Sequence, residues 1–259
     1  MLNGIYQHFR PEEKEFIDKV AEWKQQVMEM YAPKMTGFLD PRERQIIRAV
    51  VGSDEEVCVS FFGGTADSER QRALIHPDYF EPDAEDYGII LYEINYPDKF
   101  STISHSQILG SIMGLGVKRE KFGDIITDGS CFQLFVAKET ANYMHMHFDH
   151  VGKTPVKLVE KPLQEAIHTI EEWREQSVTV SSTRLDAIIG SLPAMSRQKS
   201  QQLIKGGAVK VNWKAVENPS FECAEQDVLS VRGIGRLKIL SIDGKTKKEK
   251  WRMTLGILK

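Results

Sequence analysis

Arg197, Gln198, Lys199, Gln201, Gln202 and Lys205 fall within nine residues near the end of this 259-residue chain, with no carboxylate among them. Long cationic and amide side chains donate hydrogen bonds to phosphate oxygens, and a merely solvated helix would mix both charge signs. Arg184 lies just upstream; Lys210, Asn212, Arg232, Arg236 and Lys238 follow. Together they describe a surface for a polyanion, with the salt dependence that phosphate neutralisation brings.

Patterns that would signal other chemistry are missing or misplaced. The Gly63-Gly64 loop lacks the G-x-x-x-x-G-K-[ST] pattern of a nucleotide loop. Gly114-Leu115-Gly116 begins like a dinucleotide fingerprint, but it ends a helical stretch and its third glycine is out of place. His145 and His147 are two apart, so on a helix they point to different sides and do not share a metal. Cys58, Cys131 and Cys223 are far apart and form no C-x-x-C pair. No cofactor, no metal and no catalytic residue is expected.

Two helical stretches and a hairpin must position the cationic residues. Leu185, Ile188, Ile189 and Leu192 recur at helical spacing and give the first helix a buried stripe, closed by Pro193. Ser196 is the N-cap candidate of the second, which Gly206-Gly207 stops. Val209 and Val211 then alternate inward against Lys210 and Asn212 outward. Asp186 reads as structural, pairing with a nearby basic residue. Residues 177–259 hold 15 Lys and Arg against 7 Asp and Glu, a net of +8, which leaves −11 for residues 1–176. A basic end on an acidic body directs the polyanion to the C-terminal part.

The body reads as α+β. A helix is predicted over Pro11–Tyr31, with Phe16, Val20, Trp23, Val27 and Met30 on one face. A second starts at Asp40-Pro41, and Glu56–Phe62 is a strand. The favoured reading of Ser68–Arg72 is a surface helix with solvated charges; the alternative presents Arg70 and Arg72 to phosphate. Over residues 84–162 the pattern gives strand Tyr87–Ile94, helix Ser104–Met113, strand Asp124–Thr127, a turn at Asp128-Gly129, strand Ser130–Val136, helix Lys138–Phe148 and strand Thr154–Val159. This βαββαβ order is the ferredoxin-like plait. Lys118, Arg119 and Lys121 lie on a loop that is either an RNA contact or a plain charged connection. Leu163–Gln176 is expected to be a linking helix. The expected domains are 1–83, an N-terminal α/β region; 84–162, the plait; 163–181, the linker; and 182–259, the RNA-binding module. An apolar content of 41% without a run of about 20 apolar residues predicts a soluble protein with no membrane contact. The N-terminus lacks a signal pattern, so a cytoplasmic address is expected.

Arg184-Leu185-Asp186, Ser196-Arg197, Ile204-x-x-Gly207-x-Val209-x-Val211-Asn212 and Asp227-x-Leu229-x-Val231 together resemble the S-four RNA-binding domain. Trp213 departs from the glycine often found after Asn212. The resemblance implies an RNA-binding surface at Arg184, Ser196, Arg197, Lys199, Gln202, Lys205, Lys210 and Asn212. Gly63-Gly64, Ser68-Glu69-Arg70-x-Arg72-Ala73 and the stretch from Ile108 to Ile125 extend the likeness over nearly the full length, where the chain resembles the bacterial YlmH family. That resemblance implies a non-enzymatic factor of ribosome-associated quality control, binding rRNA and tRNA on the stalled large ribosomal subunit during mRNA-independent tailing; a monomer is expected. Arg70, Arg72, Lys118, Arg119 and Lys121 are additional candidates for RNA contact. An RNA-modifying enzyme and a cell-division-linked interaction protein are the alternatives; the family's genes neighbour division genes.

Overall fold

The computed structural model describes residues 9, 11–52, 56–99, 101–168, 173–246 and 248–258. They form two compact units, 1–170 and 171–259, and the α+β reading holds for both. No helix among the described residues is long and apolar enough to cross a membrane.

The first unit opens with α1, Lys14–Met30, which buries Ile17, Val20 and Val27, while Met30 is exposed. Strand β1, Lys34–Leu39, follows; α2, Pro41–Val51, starts on a complete capping box in which Asp40 accepts from the Glu43 amide and Glu43 from the Asp40 amide. Strands β2, Val57–Phe62, and β3, Gln71–Pro77, join β1 in an antiparallel sheet of order β1-β3-β2. The expected surface helix at Ser68–Arg72 is therefore a turn running into a strand. Ala73, Leu74 and Ile75 are apolar on both sheet faces, and burying both of them outweighs the local charge run.

The plait follows: β4, Ile89–Asn95; α3, His105–Gly114; β5, Phe122–Thr127; β6, Phe132–Ala137; α4, Lys138–His147; a small hairpin of β7, His150–Val151, and β8, Thr154–Pro155; then β9, Lys157–Lys161. Its strand order, β5-β6-β4-β9, is that of the ferredoxin-like sheet. The predicted last strand is thus divided between β8 and β9. Tyr92, Ile94, Leu134 and Val136 face the helices and pack on Ile108, Ile112, Ala141 and Met144. Ile89, Leu91, Ile126, Phe135 and Ala137 face the other way, against Phe38 and Leu74 of the N-terminal sheet. Gly64 permits this approach: a Cβ there would stand 2.3 Å from the Phe135 ring.

The linking helix expected over Leu163–Gln176 does not form. Leu163–Glu165 is a single 3-10 turn, residues 169–172 lie outside the described residues, and Trp173–Val180 is strand β10. Buried Gln133 holds the segment after the turn, accepting from the Ile167 amide at 2.9 Å and donating to the Glu165 carbonyl at 3.2 Å. Leu163 and Ile167 owe their helix-like spacing to packing on the plait's outer sheet face. Val178 and Val180 belong to a β-branched run that finds a distant partner strand.

The second unit contains α5, Leu185–Ile189; α6, Arg197–Lys205; β11, Val209–Val211; β12, Lys214–Ala215; β13, Val228–Val231; β14, Gly235–Lys245; and β15, Trp251–Leu258. With β10 the strands form one antiparallel sheet of order β10-β15-β14-β13-β11-β12. Leu185, Ile188, Ile189 and Ile204 of the helices pack onto Val209, Val211, Leu229, Leu237 and Met253 of the sheet.

Candidate nucleic-acid interface

Asp186 is wholly buried at the start of α5, and it gathers the residues that the sequence pattern selected. Its Oδ1 accepts from Arg184 Nε at 3.1 Å; its Oδ2 accepts from Arg184 Nη2 at 3.2 Å, Arg197 Nε at 3.1 Å and Gln201 Nε2 at 2.7 Å. Burial alone would push this carboxyl up; the bonds from Gln201, Arg197 and Arg184 outweigh it and hold Asp186 below the ordinary carboxylate value. One negative charge is thus set against two guanidiniums, leaving a positive excess. The guanidinium side chains remain open to solvent, Arg184 at 36% and Arg197 at 52% exposure. A buried acid that fixes arginines without covering them pre-organises their remaining N–H groups for a phosphate.

The local fold supplies the support. The Leu185 and Asp186 amides donate to the Phe221 and Pro219 carbonyls, so a loop 33 to 36 residues downstream in sequence anchors the start of the short helix. Buried Ser200 donates its hydroxyl to the Asp186 carbonyl at 2.9 Å, tying α6 to α5. Gly190 permits the crossing, since a Cβ there would stand 2.9 Å from the Asp186 carbonyl oxygen and 3.2 Å from Arg197 Cα. Ser200 and Gly190 are supporting residues that the sequence reading missed, and Gln201, placed there on the polar helix face, turns out to hold Asp186 as well. The signal for Gln201 was its place four residues after Arg197 on one helix face.

The remaining predicted residues divide into groups. Lys199, Gln202 and Lys205 are exposed on α6, and among the described residues Lys199 and Lys205 have no ion pair. Ser196 is the N-cap: its Oγ accepts from the Lys199 amide at 3.2 Å. Lys210 stands between buried Val209 and Val211, so it leaves the sheet on the face away from the helices. There it lies in register with Ser230, and Ser230 with Arg236. Asn212 is committed to the hairpin: its side chain donates to Asp227 at 2.8 Å and accepts from the Val228 amide at 2.9 Å. Asn212 and Trp213 have φ of 48° and 63°, the geometry of a two-residue hairpin loop in which glycine would be the easier second residue.

In the first unit the extra candidates meet different fates. Arg72 is buried, at 3% exposure, and donates to the Thr36 and Gly88 carbonyls and to both oxygens of Glu139. It is a strut of the fold and has no surface to offer RNA. Arg70 donates to the Phe38 carbonyl at 2.8 Å. Arg119 donates to the Phe122 and Gly123 carbonyls and lies 4.3 Å over the Phe122 ring. Burial, with Arg70 nearby, pushes the Arg119 guanidinium down to about 10. Lys121 pairs with Glu139 at 3.2 Å, and Lys118 is exposed.

Three family models match the chain. Residues 12–80 match the family model for the YlmH N-terminal region, residues 82–165 a putative RNA-binding domain in YlmH, and residues 183–229 the S4 domain. The "Ribosome-associated protein quality control protein P2" of Bacillus subtilis (strain 168) is 45% identical over 253 residues, 98% of each chain. A solved structure, "Cell division protein ylmH from Streptococcus pneumoniae", is 35% identical with a TM-score of 0.55, covering 63% of this chain and 99% of that one. A likeness that runs through all three regions, and includes the domain holding the Arg184–Asp186–Arg197 assembly, places this chain in the YlmH family.

Proposed function

We propose that this chain is a non-catalytic, cytoplasmic RNA-binding factor of ribosome-associated quality control. It holds rRNA and tRNA on the stalled large ribosomal subunit while the nascent chain is extended without mRNA. The observation that carries this reading is the pair of half-exposed guanidiniums fixed on buried Asp186, beside a helix without carboxylates. The name of the Bacillus subtilis relative supports the pathway. Arg184 and Arg197 make the first phosphate contacts, Lys199, Gln202 and Lys205 extend them along α6, and Lys210 with Arg236 offers a second cationic row on the outer sheet face. Replacing Arg184 and Arg197 together by Ala is expected to abolish co-sedimentation with purified large subunits. Undiminished co-sedimentation of a folded variant would sink the reading.

A role in division is favoured by the name of the Streptococcus pneumoniae chain. It predicts partner binding that survives both nuclease treatment and the same two substitutions.

A further inference from the structure

A ferredoxin-like plait that binds RNA commonly does so through aromatic residues on its open sheet face. That route is closed in this chain. The face carrying Leu91, Ile126, Phe135 and Ala137 is packed against Phe38, Leu74 and neighbouring side chains of the N-terminal sheet, and Leu91 and Phe135 are wholly buried. The other sheet face is filled by α3 and α4. The outer surface of the helical layer remains.

That surface contains an open cavity of about 490 Å³, bordered by Gly116, Lys118, Glu120, Lys121, Thr140 and Tyr143. Tyr143 is 44% exposed, yet its ring is held in place: the hydroxyl donates to the Leu115 carbonyl at 3.1 Å. The His147 ring lies against it, with centroids 4.5 Å apart. Lys118 stands exposed on the rim and, among the described residues, pairs with no carboxylate. Glu120 is the one acid on the border, whereas residues 101–119 contain none, in a body of net −11. A fixed aromatic ring beside a lysine without a carboxylate partner matches the two parts of a nucleotide, a flat base and a phosphate.

We infer that the middle domain takes a looped-out or single-stranded RNA nucleotide on its helical layer, with the base on Tyr143 and the phosphate on Lys118. This inference rests on the RNA-binding reading above and locates a second contact for it.

The test uses the full chain and two probes: a short single-stranded RNA carrying photoreactive thiouridine, and purified large ribosomal subunits. Crosslinks are mapped by peptide mass spectrometry, and affinity is measured by fluorescence anisotropy. Crosslinks should fall on the peptides holding Lys118 or Tyr143. Lys118→Ala with Tyr143→Ala should weaken RNA binding about tenfold, the size of one lost base stack. Tyr143→Phe should retain it, because the ring does the stacking. Lys118→Glu, at an exposed position, gives the same readout should Tyr143→Ala fail to fold. Unchanged affinity, with crosslinks confined to residues 171–259, would overturn this inference and leave the C-terminal reading intact. Unchanged affinity in the Arg184→Ala, Arg197→Ala variant would overturn that reading instead. Weaker large-subunit binding with undiminished RNA affinity would make the occupant a ribosomal protein, and that outcome also rejects the nucleotide.

Discussion

Asp124 and Asp186 each sit close to arginines, one in each unit, and their surroundings use the positive charge in opposite ways. Asp124 accepts from the backbone amides of Glu69 and Arg70, and the nearby guanidiniums of Arg70 and Arg119 are turned onto backbone carbonyls. Asp186 accepts directly from two guanidiniums and an amide side chain, and both arginines stay open to water. The first arrangement spends its cations on holding a loop against a sheet. The second leaves its cations open to water. Counting arginines therefore does not tell which of them can meet a ligand; that depends on whether their N–H groups end on the protein's own carbonyls or on a buried acid that leaves donors spare.

Arg72→Ala should sharpen this contrast with the largest effect. Arg72 is the most committed of the inward arginines, with two carbonyls and Glu139 as acceptors. Its loss should destabilise the first unit by about 4 kcal/mol, as expected for a buried charge network left incomplete. RNA affinity of the C-terminal site should not change, measured by anisotropy under conditions where the variant is folded. A fall in that affinity without a fall in stability would break the distinction between the two kinds of arginine.

Asp186→Ala should come next, at about 3 kcal/mol in denaturant unfolding of the second unit. The value is at the low end for a broken buried pair because both guanidiniums can turn to water. Unlike Arg72→Ala, it should also weaken RNA binding, since Arg184 and Arg197 lose their fixed orientation. Retained affinity would mean that charge alone matters and positioning does not.

The parts of this contrast that were legible in the sequence are the local ones. Asp40 announced its helix as an N-cap followed by Pro41, Ser104 with Gln107 announced another by a capping box, and Asp128-Gly129 marked its hairpin. The spacing of Arg197, Gln201 and Lys205 put them on one helix, and the βαββαβ order came from alternating periodicities. The missed parts depend on distant partners. Arg72 meets Glu139 across 67 residues, and Glu69 meets Asp124 across 55, so an apparently solvated charge run is in fact sewn into the fold. Trp173–Val180 pairs residue by residue with Trp251–Leu258, whose place beside it no local pattern reveals. Tyr143 showed no signal either, because its exposure follows from the way α4 lies on the sheet.

The smallest expected effect is in acid, and its sign differs between the two aspartates. Burial first, then Glu69, pushes the Asp124 carboxyl above its ordinary value against the pull of two backbone amides and Arg119, whereas Asp186 is held below. For Asp124 the folded state holds its proton more tightly than the unfolded chain, so its contribution to stability rises as pH falls from neutral towards 3.8. For Asp186 the unfolded chain takes the proton first; its contribution is complete above 3.8 and is lost as pH falls below it towards the lowered folded value. Thermal unfolding followed against pH, with each variant subtracted from the parent, separates the two. Asp124→Asn, which retains an oxygen for the Glu69 and Arg70 amides, should remove a gain in mild acid. Asp186→Asn should remove a loss in stronger acid. If both variants shifted the profile in the same direction, the two aspartates would share one electrostatic role, and the division between inward-spent and outward-held arginines would have to rest on geometry alone.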